Sequence, residues 1–447
     1  MTILRTPCMI VPRIVGFALT LTTLIAVQGR IAVAAGPPTR PNVLLVLTDD
    51  QRGDTIRALG NPEIETPVQD ALVDRGFVFS NAYCQGSMIP AVCAPSRTML
   101  LTGKSLFRIP SPNARSYDGP TLGGTFAAHG YATLCVSKPG NSFRVGHDQF
   151  AKVVAIPHSG ASTSRKCADA AIEWVGTQQA DQPLFVYLAP SMPHDPRTAP
   201  AETQAKYNPA KLRLSKNFMP RHPFDNGELA VRDELLAPFP RTPEEMRRHL
   251  AEYYACVTEL DHQVGRVVEA LKTAGRWDNT VVVFTSDQGL AVGGRHGLMG
   301  KQNLYEHVKP PLILAGPGIP KGRSAALVYL YDLFPTLCGL TGVPLPAGLD
   351  GQSLVPVIRG EQARVRDALF LAYRDVQRAA RDERWKLIWY PQANQIQLFD
   401  LSVDPDELTN LAGDPSHAPE LERLSTLLRG WQREVANVAP GSPLKTP

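Results

Sequence analysis

Short, continuous apolar runs alternate with helical patterns along most of this 447-residue chain. Runs of this character are typical of strands that are buried on both faces, as in a parallel sheet with helices on each side. The runs that predict such strands are residues 42–48, 131–137, 183–189, 280–285 and 311–315. The pattern therefore predicts an α/β fold built on a buried parallel sheet.

The clearest helix signal begins at Thr242. The sequence Thr242-Pro243-Glu244-Glu245 is a capping box with proline at the first helical position, and Gly275 stands where the helix would end. Between them, apolar residues recur every three or four positions and form a single stripe. This predicts one long scaffold helix, and we assign its titratable groups no chemical role.

Residues 190–240 are rich in Pro, Lys, Arg and Asn and show little periodicity. Because long irregular stretches in compact proteins are usually functional or mobile, we predict a surface excursion near the rim of the active site, with a disordered insertion as the alternative. Towards the C-terminus, apolar segments at 368–373, 384–390 and 396–400 precede an amphipathic helix at 419–435. These indicate a further group of strands and a helix.

The formal net charge of +4 comes mostly from the N-terminus. Residues 1–35 contain Arg5, Arg13 and Arg30 and no acidic residue, which leaves +1 for the rest of the chain. A nearly neutral body gives no electrostatic reason to expect a nucleic-acid partner.

The same N-terminal residues have the pattern of an export signal. Arginines precede the apolar run 14–27, and residues 32–34, Ala-Val-Ala, offer a cleavage site. The run is shorter than the roughly 20 apolar residues that a membrane span needs. We therefore predict a signal peptide over residues 1–35, with an uncleaved anchor as the alternative. The predicted location is periplasmic or secreted, with no stable membrane insertion after cleavage.

Acidic residues follow the first and the fourth predicted strands. Asp49 and Asp50 come after the first, and Asp287 and Gln288 come after the fourth. Ligand sites in open α/β sheets form beyond the carboxyl ends of the strands, so these side chains are predicted to meet. Carboxylates in one cleft repel each other unless a cation neutralises them, and an all-oxygen ligand set indicates Ca²⁺ or Mg²⁺. For Asp49 and Asp50 alone, a helix N-cap or a turn is the alternative.

The segment C-A-P-S-R at residues 93–97, followed by a hydrophobic turn and T-G at 102–103, resembles the signature of the type I sulfatases. In that family the cysteine is oxidised to formylglycine, whose hydrate attacks sulfur and then expels sulfate. The resemblance implies formylglycine at position 93 and a formylglycine-generating maturation enzyme as a partner. Without the resemblance, Cys93 would be interpreted as a small buried residue beside a proline turn.

The resemblance covers most of residues 40–410 and implies an alkaline-phosphatase-like α/β sandwich. Its central sheet is mixed and mainly parallel, and a smaller C-terminal α+β subdomain accompanies it. The implied catalytic domain is 36–360, and the implied subdomain, an antiparallel sheet with a helix, is 361–447.

The same resemblance assigns the metal, usually calcium, to Asp49, Asp50, Asp287, Gln288 and the formylglycine oxygens that derive from Cys93. Many family members have Asn where this chain has Gln288, so the amide group is here carried by a side chain that is one methylene longer.

Further roles are implied for basic residues beyond the strand ends. Arg97 is expected to orient the hydrate, and Lys138 and Lys301 to bind sulfate. His194 is expected to contact substrate and, together with Lys301, to serve the leaving oxygen by general acid catalysis. His296 is either a substrate contact or a packing residue.

One position departs from the family more seriously. Members commonly read G-K-W-H where this chain keeps Lys138 but has Gly140 at the histidine position. His147 and His158 are the nearest candidates to replace that histidine, a mechanism through the metal-bound Asp287 is a second explanation, and impaired turnover is a third.

Together these features predict a sulfuric ester hydrolase that acts on a sulfated carbohydrate. Residues 217–225 resemble the iduronate-sulfatase-like branch. One alternative is a phosphate or phosphonate ester hydrolase of the same superfamily. The other is a non-catalytic protein that binds sulfated carbohydrate on a sulfatase scaffold.

Overall fold

The computed structural model describes Met9 and residues 40–140 and 142–438. The predicted export signal at 1–35 lies outside these residues, apart from Met9. The described residues from 40 onward belong to one compact unit. Among the described helices, none combines the length and the apolar character that a membrane crossing requires.

The described residues form thirteen strands and ten α-helices. In chain order the strands are β1 (Asn42–Thr48), β2 (Phe77–Tyr83), β3 (Gly86–Ser87), β4 (Ala132–Ser137), β5 (Lys152–Ala155), β6 (Leu184–Ala189), β7 (Thr280–Ser286), β8 (Leu312–Ala315), β9 (Gly322–Tyr329), β10 (Leu369–Tyr373), β11 (Gln377–Arg381), β12 (Trp385–Tyr390) and β13 (Gln395–Asp400). The α-helices are α1 (Pro67–Arg75), α2 (Cys93–Thr102), α3 (Leu122–Ala128), α4 (Arg144–His147), α5 (Thr163–Gly176), α6 (Ala201–Gln204), α7 (Pro243–Thr273), α8 (Leu333–Thr341), α9 (Val355–Ile358) and α10 (Ala418–Val438).

Eight strands form the central sheet in the order β5-β4-β6-β1-β7-β8-β2-β9. Neighbouring strands run parallel except where β8 pairs with β7 and with β2. The predicted mixed, mainly parallel sheet is therefore confirmed, and each of the five predicted strands is present.

Both faces of β1 are buried, as its continuous apolar sequence predicts. Val43, Leu45 and Leu47 belong to the hydrophobic cluster on one face, together with residues of α2, α3 and α8. Leu44 and Val46 belong to the cluster on the other face, together with residues of α5 and α7. Because successive side chains of a strand point to opposite faces, the run supplies both cores at once.

The long scaffold helix α7 has the predicted bounds. The Thr242 side chain accepts a hydrogen bond from the backbone N–H of Glu245 at 3.3 Å and caps the N-terminus. After the helix ends, Gly275 has φ of 68°, the left-handed conformation that glycine adopts without strain.

The irregular segment 190–240 packs against α7. Met192, Tyr207 and Leu212 share a hydrophobic cluster with Met246 and Leu250 of that helix. The segment is therefore folded, and the alternative of a disordered insertion does not describe it.

A second sheet has the order β13-β12-β11-β10-β3. The four strands from the C-terminal part are antiparallel, whereas β3, from the N-terminal part, pairs with β10 in parallel. The helix α10 contacts β11 and β12. The division at residue 360 stays a prediction, because this sheet includes strands from both sides of it.

Replacing Gly86 by alanine is expected to lower the free energy of unfolding by about 2–4 kcal/mol. Gly86 has φ of 117°, and a Cβ at this position would lie 1.9 Å from the carbonyl oxygen of Ala372. Urea denaturation measures the loss. Gly176→Ala is the control, since a Cβ there meets nothing within 4 Å. Equal stability of the two variants would contradict the close approach between β3 and β10.

Candidate active site at the carboxyl edge of the central sheet

The acidic residues meet because β1 and β7 are neighbours in register. Thr48 at the end of β1 pairs with Ser286 at the end of β7. The backbone N–H of Asp287 donates to the carbonyl of Thr48 at 3.0 Å, and that of Asp50 donates to Oδ1 of Asp287 at 3.1 Å. Asp49, Asp50 and Asp287 are all buried. Three carboxylates therefore lie together at the carboxyl edge of the sheet.

Asp50 has an unusual backbone conformation, with φ of 71°. A non-glycine residue in this left-handed region is uncommon, and such strain persists only where neighbouring structure holds it. Tyr253 of α7 supplies this support, since its hydroxyl donates to the carbonyl of Asp50 at 2.7 Å and accepts from the N–H of Arg52 at 2.9 Å. The scaffold helix thus shapes the loop that carries Asp50.

Cys93 is the first residue of α2 and is fully buried against these carboxylates. Its Sγ lies 3.1 Å from Oδ1 of Asp49 and 3.9 Å from Oδ1 of Asp50. Burial raises the pKa of the Cys93 thiol, and the charges of Asp287 and Asp49 raise it further. Because the thiolate is the reactive form of cysteine, the site disfavours cysteine chemistry at this position.

Three cations match the three carboxylates. Arg97 donates to Oδ2 of Asp287 at 3.0 Å and to Oδ2 of Asp49 at 3.2 Å. The ammonium of Lys138 forms an ion pair with the same Oδ2 of Asp49. Burial by itself would raise the pKa of Asp49. The charges of Lys138 and Arg97 outweigh this effect and hold that pKa well below its usual range.

Lys301 is the third cation, and it faces both Asp50 and Cys93. Its ammonium lies 2.9 and 2.7 Å from the two carboxylate oxygens of Asp50 and 3.2 Å from Sγ of Cys93. Burial nevertheless raises the pKa of Asp50 to about 6 against the charge of Lys301. Burial and the charge of Asp49 raise the pKa of Asp287 to about 6 as well.

Four side chains around these carboxylates are close enough together to hold a metal ion. One oxygen each of Asp49 and Asp50, Sγ of Cys93 and a ring nitrogen of His194 all lie within 4.8 Å of one another. A cation would stabilise carboxylates whose ionised forms burial disfavours, and an oxygen function in place of Sγ at position 93 would leave the ring nitrogen of His194 as the one donor of these four that is not oxygen. The side-chain amide of Gln288 donates to the carbonyl of Lys301 at 2.7 Å, so its role as a ligand stays a prediction.

His194 borders the site from the segment 190–240. Its Nδ1 lies 2.7 Å from the carbonyl of Asp195, so Nδ1 carries the hydrogen, and its Nε2 lies 3.8 Å from Oδ2 of Asp50. Burial and the charge of Lys301 lower the pKa of His194.

At position 140, where the family has histidine, a Cβ would meet nothing within 4 Å. His147 lies 3.1 Å from the hydroxyl of Ser137, and burial lowers its pKa to about 3. His158 lies 2.9 Å from the hydroxyl of Ser191. Neither histidine has a recorded hydrogen bond to Cys93 within the described residues, so the replacement stays a prediction.

His296 lies in a separate buried cluster. Its ring stacks on Tyr305 with centroids 3.9 Å apart, and its Nε2 lies 2.9 Å from Oε2 of Glu306. Within the described residues, no recorded contact joins it to Cys93. These contacts are those of a packing residue, and a contact with substrate stays a prediction.

Three charged residues at the rim carried no recognisable signal in the sequence. Asp195, Arg232 and Asp233 come from the irregular segment 190–240, where periodicity offers no guide to side-chain placement. Only the proximity of Asp195 to His194 along the chain could have drawn attention to one of them.

Comparison with known proteins decides the family. The protein family described as Sulfatase matches residues 41–343. A second family, described as N-sulphoglucosamine sulphohydrolase, C-terminal, matches residues 294–434. The chain belongs to the sulfatase family. It is a sulfuric ester hydrolase, as the resemblance implied.

Arylsulfatase K of Danio rerio is 28% identical over 444 residues, which cover 86% of this chain and 83% of the relative. A solved structure described as a complex with its substrate D-glucosamine-2-N,6-O-disulfate has a TM-score of 0.74 at 22% identity and covers 91% of this chain and 100% of that one. The structure of a phosphonate monoester hydrolase from Silicibacter pomeroyi has a TM-score of 0.73 at 24% identity, and the match covers 90% of this chain and 97% of that one. The alkaline-phosphatase-like fold is thereby confirmed.

Proposed function

We propose that this sulfatase hydrolyses sulfate esters of a sulfated carbohydrate, with Cys93 matured to formylglycine. The observation that carries the proposal is the place of Cys93, buried between the carboxylate of Asp49 and the ammonium of Lys301 at 3.1 and 3.2 Å. The substrate class is supported by the related structure that holds a sulfated glucosamine. The iduronate-sulfatase-like branch stays part of the proposal and rests on the resemblance of sequence blocks such as residues 217–225.

Formylglycine would supply a hydroxyl that attacks sulfur, and a divalent cation, which we propose to be Ca²⁺ with Mg²⁺ as the second choice, would polarise the reacting oxygens. Asp49, Asp50, Asp287 and Gln288 are the residues that would hold the cation, together with position 93. Arg97 orients two of these carboxylates, because its guanidinium bonds Asp49 and Asp287 at once.

The remaining charged residues act on the substrate. Lys301 lies 3.2 Å from Sγ of Cys93, and Lys138 pairs with Asp49, which itself contacts that sulfur, so both ammonium groups would help to neutralise a sulfate bound at position 93. His194 presents Nε2 towards the site. Because Nδ1 already donates to the carbonyl of Asp195, the ring would give a proton from Nε2 to the leaving oxygen only in its doubly protonated form, a step that is typically worth about 10²–10⁴ in rate.

Maturation and export belong to the same proposal. Because Cys93 is 0% exposed, the formylglycine-generating enzyme would have to act on the chain before it folds. The signal pattern at 1–35 supports export to the periplasm or the medium.

Two measurements on protein produced together with a maturation enzyme test the proposal. The mass of the peptide that contains residue 93 reports conversion of thiol to aldehyde. Sulfate release from a panel of sulfated saccharides, compared by kcat/KM with matched phosphate and phosphonate esters, reports the reaction. Saturable binding of saccharide without release of sulfate would favour the non-catalytic binding protein. A higher kcat/KM for phosphonate esters than for sulfate esters would favour the phosphate or phosphonate ester hydrolase.

A further inference from the structure

Two carboxylates lie beside His194 and Lys301, the side chains proposed to serve the leaving oxygen. Oδ1 of Asp195 lies 3.5 Å from Nδ1 of His194, and the carbonyl of Asp195 accepts from the same nitrogen. Oδ2 of Asp233 lies 3.9 Å from the ammonium of Lys301. These two carboxylates come from separate parts of the segment 190–240, 38 positions apart.

One guanidinium bonds both of them. Nη1 and Nη2 of Arg232 donate to the two oxygens of Asp195 at 2.7 and 3.0 Å. Nε and Nη2 donate to Oδ1 of Asp233 at 3.0 and 2.6 Å. The planar guanidinium donates two hydrogen bonds to each carboxylate in a fixed fork geometry, which the ammonium of a lysine does not offer.

Each of the two carboxylates is in turn linked to one of the proposed catalytic residues, His194 or Lys301. Anchoring the Asp195 side chain holds the carbonyl that orients the ring of His194. Asp233 accepts from the amide of Gln302 at 3.1 Å, and Gln302 accepts from the backbone N–H of Lys301 at 3.1 Å. Arg232 therefore ties the loop of His194 to the loop of Lys301.

We infer that Arg232 is a positioning residue, which holds His194 and Lys301 in the relative placement needed to serve the leaving oxygen. Four of its five N–H groups are engaged by Asp195 and Asp233, so we place its action in the positioning of these two carboxylates. The inference rests on the proposed function, in which His194 protonates the leaving oxygen.

The test compares Arg232→Ala with the wild type on two substrates. The nitrophenolate of 4-nitrophenyl sulfate leaves without a proton, whereas the alkoxide of a sulfated monosaccharide needs one. We expect kcat for the monosaccharide to fall by about tenfold or more, because small misplacements of catalytic groups have effects of this size. The kcat for the nitrophenyl ester should change by less than about threefold.

Chemical rescue separates positioning from general damage to the fold. The Arg232 side chain is 60% exposed, so added guanidinium ion can reach the vacated place, and it is expected to restore kcat for the monosaccharide by about threefold or more. Arg232→Lys keeps a charge but not the fork and should fall between the wild type and Arg232→Ala. If Arg232→Ala does not fold, the test rests on the kcat values of Arg232→Lys for the two substrates.

Arg248→Ala is the matched control. Arg248 is 52% exposed on α7 and also contacts two carboxylates, those of Glu245 and Glu252, but among the residues that the structure describes it makes no hydrogen bond or ion pair with the site. It should leave the ratio of the two kcat values unchanged. Equal losses on both substrates for Arg232→Ala, or no loss, would overturn the inference. Absence of sulfate release by the wild type would instead overturn the proposed function, and the positioning role with it.

Discussion

Cys93→Ser is expected to lower steady-state sulfate release by about 10³-fold or more, because it removes the proposed nucleophile. A serine hydroxyl in this place can accept sulfate from the substrate, but the resulting ester has no second hydroxyl to expel it. Water would then have to attack sulfur within a buried site. The fold should persist, since serine has nearly the size of cysteine and Asp49 lies at hydrogen-bond distance from position 93.

The measurement is continuous sulfate release, with the mass of the intact variant recorded after incubation with substrate. One sulfate retained per chain would show that the first step proceeds and the second does not. Cys338→Ser is the control, because Cys338 is also buried but lies in α8, among apolar neighbours. The Cys338→Ser variant should be less stable than the wild type, but each folded molecule should release sulfate at the wild-type rate. Full turnover by Cys93→Ser would remove residue 93 as the nucleophile.

Asp49→Asn is expected to abolish binding of the divalent cation and to lower kcat by about 10²-fold or more. The substitution keeps the shape of the side chain but removes a charge that faces Arg97, Lys138 and Cys93. Because a ligand that binds only the folded state stabilises it by mass action, Ca²⁺ at 100 times its Kd would add about 2.7 kcal/mol to the wild type.

Metal content and thermal midpoints with and without Ca²⁺ measure this effect. The wild type should show a rise in midpoint with Ca²⁺ that a chelator reverses, and Asp49→Asn should show none. Asp278→Asn, at an exposed position away from the site, should behave as the wild type. Metal content in Asp49→Asn equal to that of the wild type would exclude Asp49 from the ligands.

Strands that are buried on both faces could be predicted because their whole sequence is apolar. β2, β9 and β11 were missed for a common reason, which is that their sequences mix apolar and polar residues. The sequence of β11 is Gln-Arg-Ala-Ala-Arg, yet all five residues are buried. Arg381 is accommodated by two distant partners, Tyr83 and Asn81. A local pattern carries no information about such partners.

The sequence by itself determined the chemical inventory of the site. A strand followed by acidic residues places Asp49 and Asp287 at strand ends, and the C-A-P-S-R segment identifies Cys93. Only the tertiary structure decided which of these ends are neighbours. β1 pairs with β7 although about 230 residues separate them, and that pairing brings the carboxylates to one point.

The support around these groups was also decided by the tertiary structure alone. Tyr253 reaches Asp50 from a helix that the sequence identifies only as scaffold, and Arg232 reaches Asp195 and Asp233 from an aperiodic segment. The physical reason is the same in both cases. Periodicity reports which face of an element is buried, whereas hydrogen bonds between distant segments depend on how the whole chain packs.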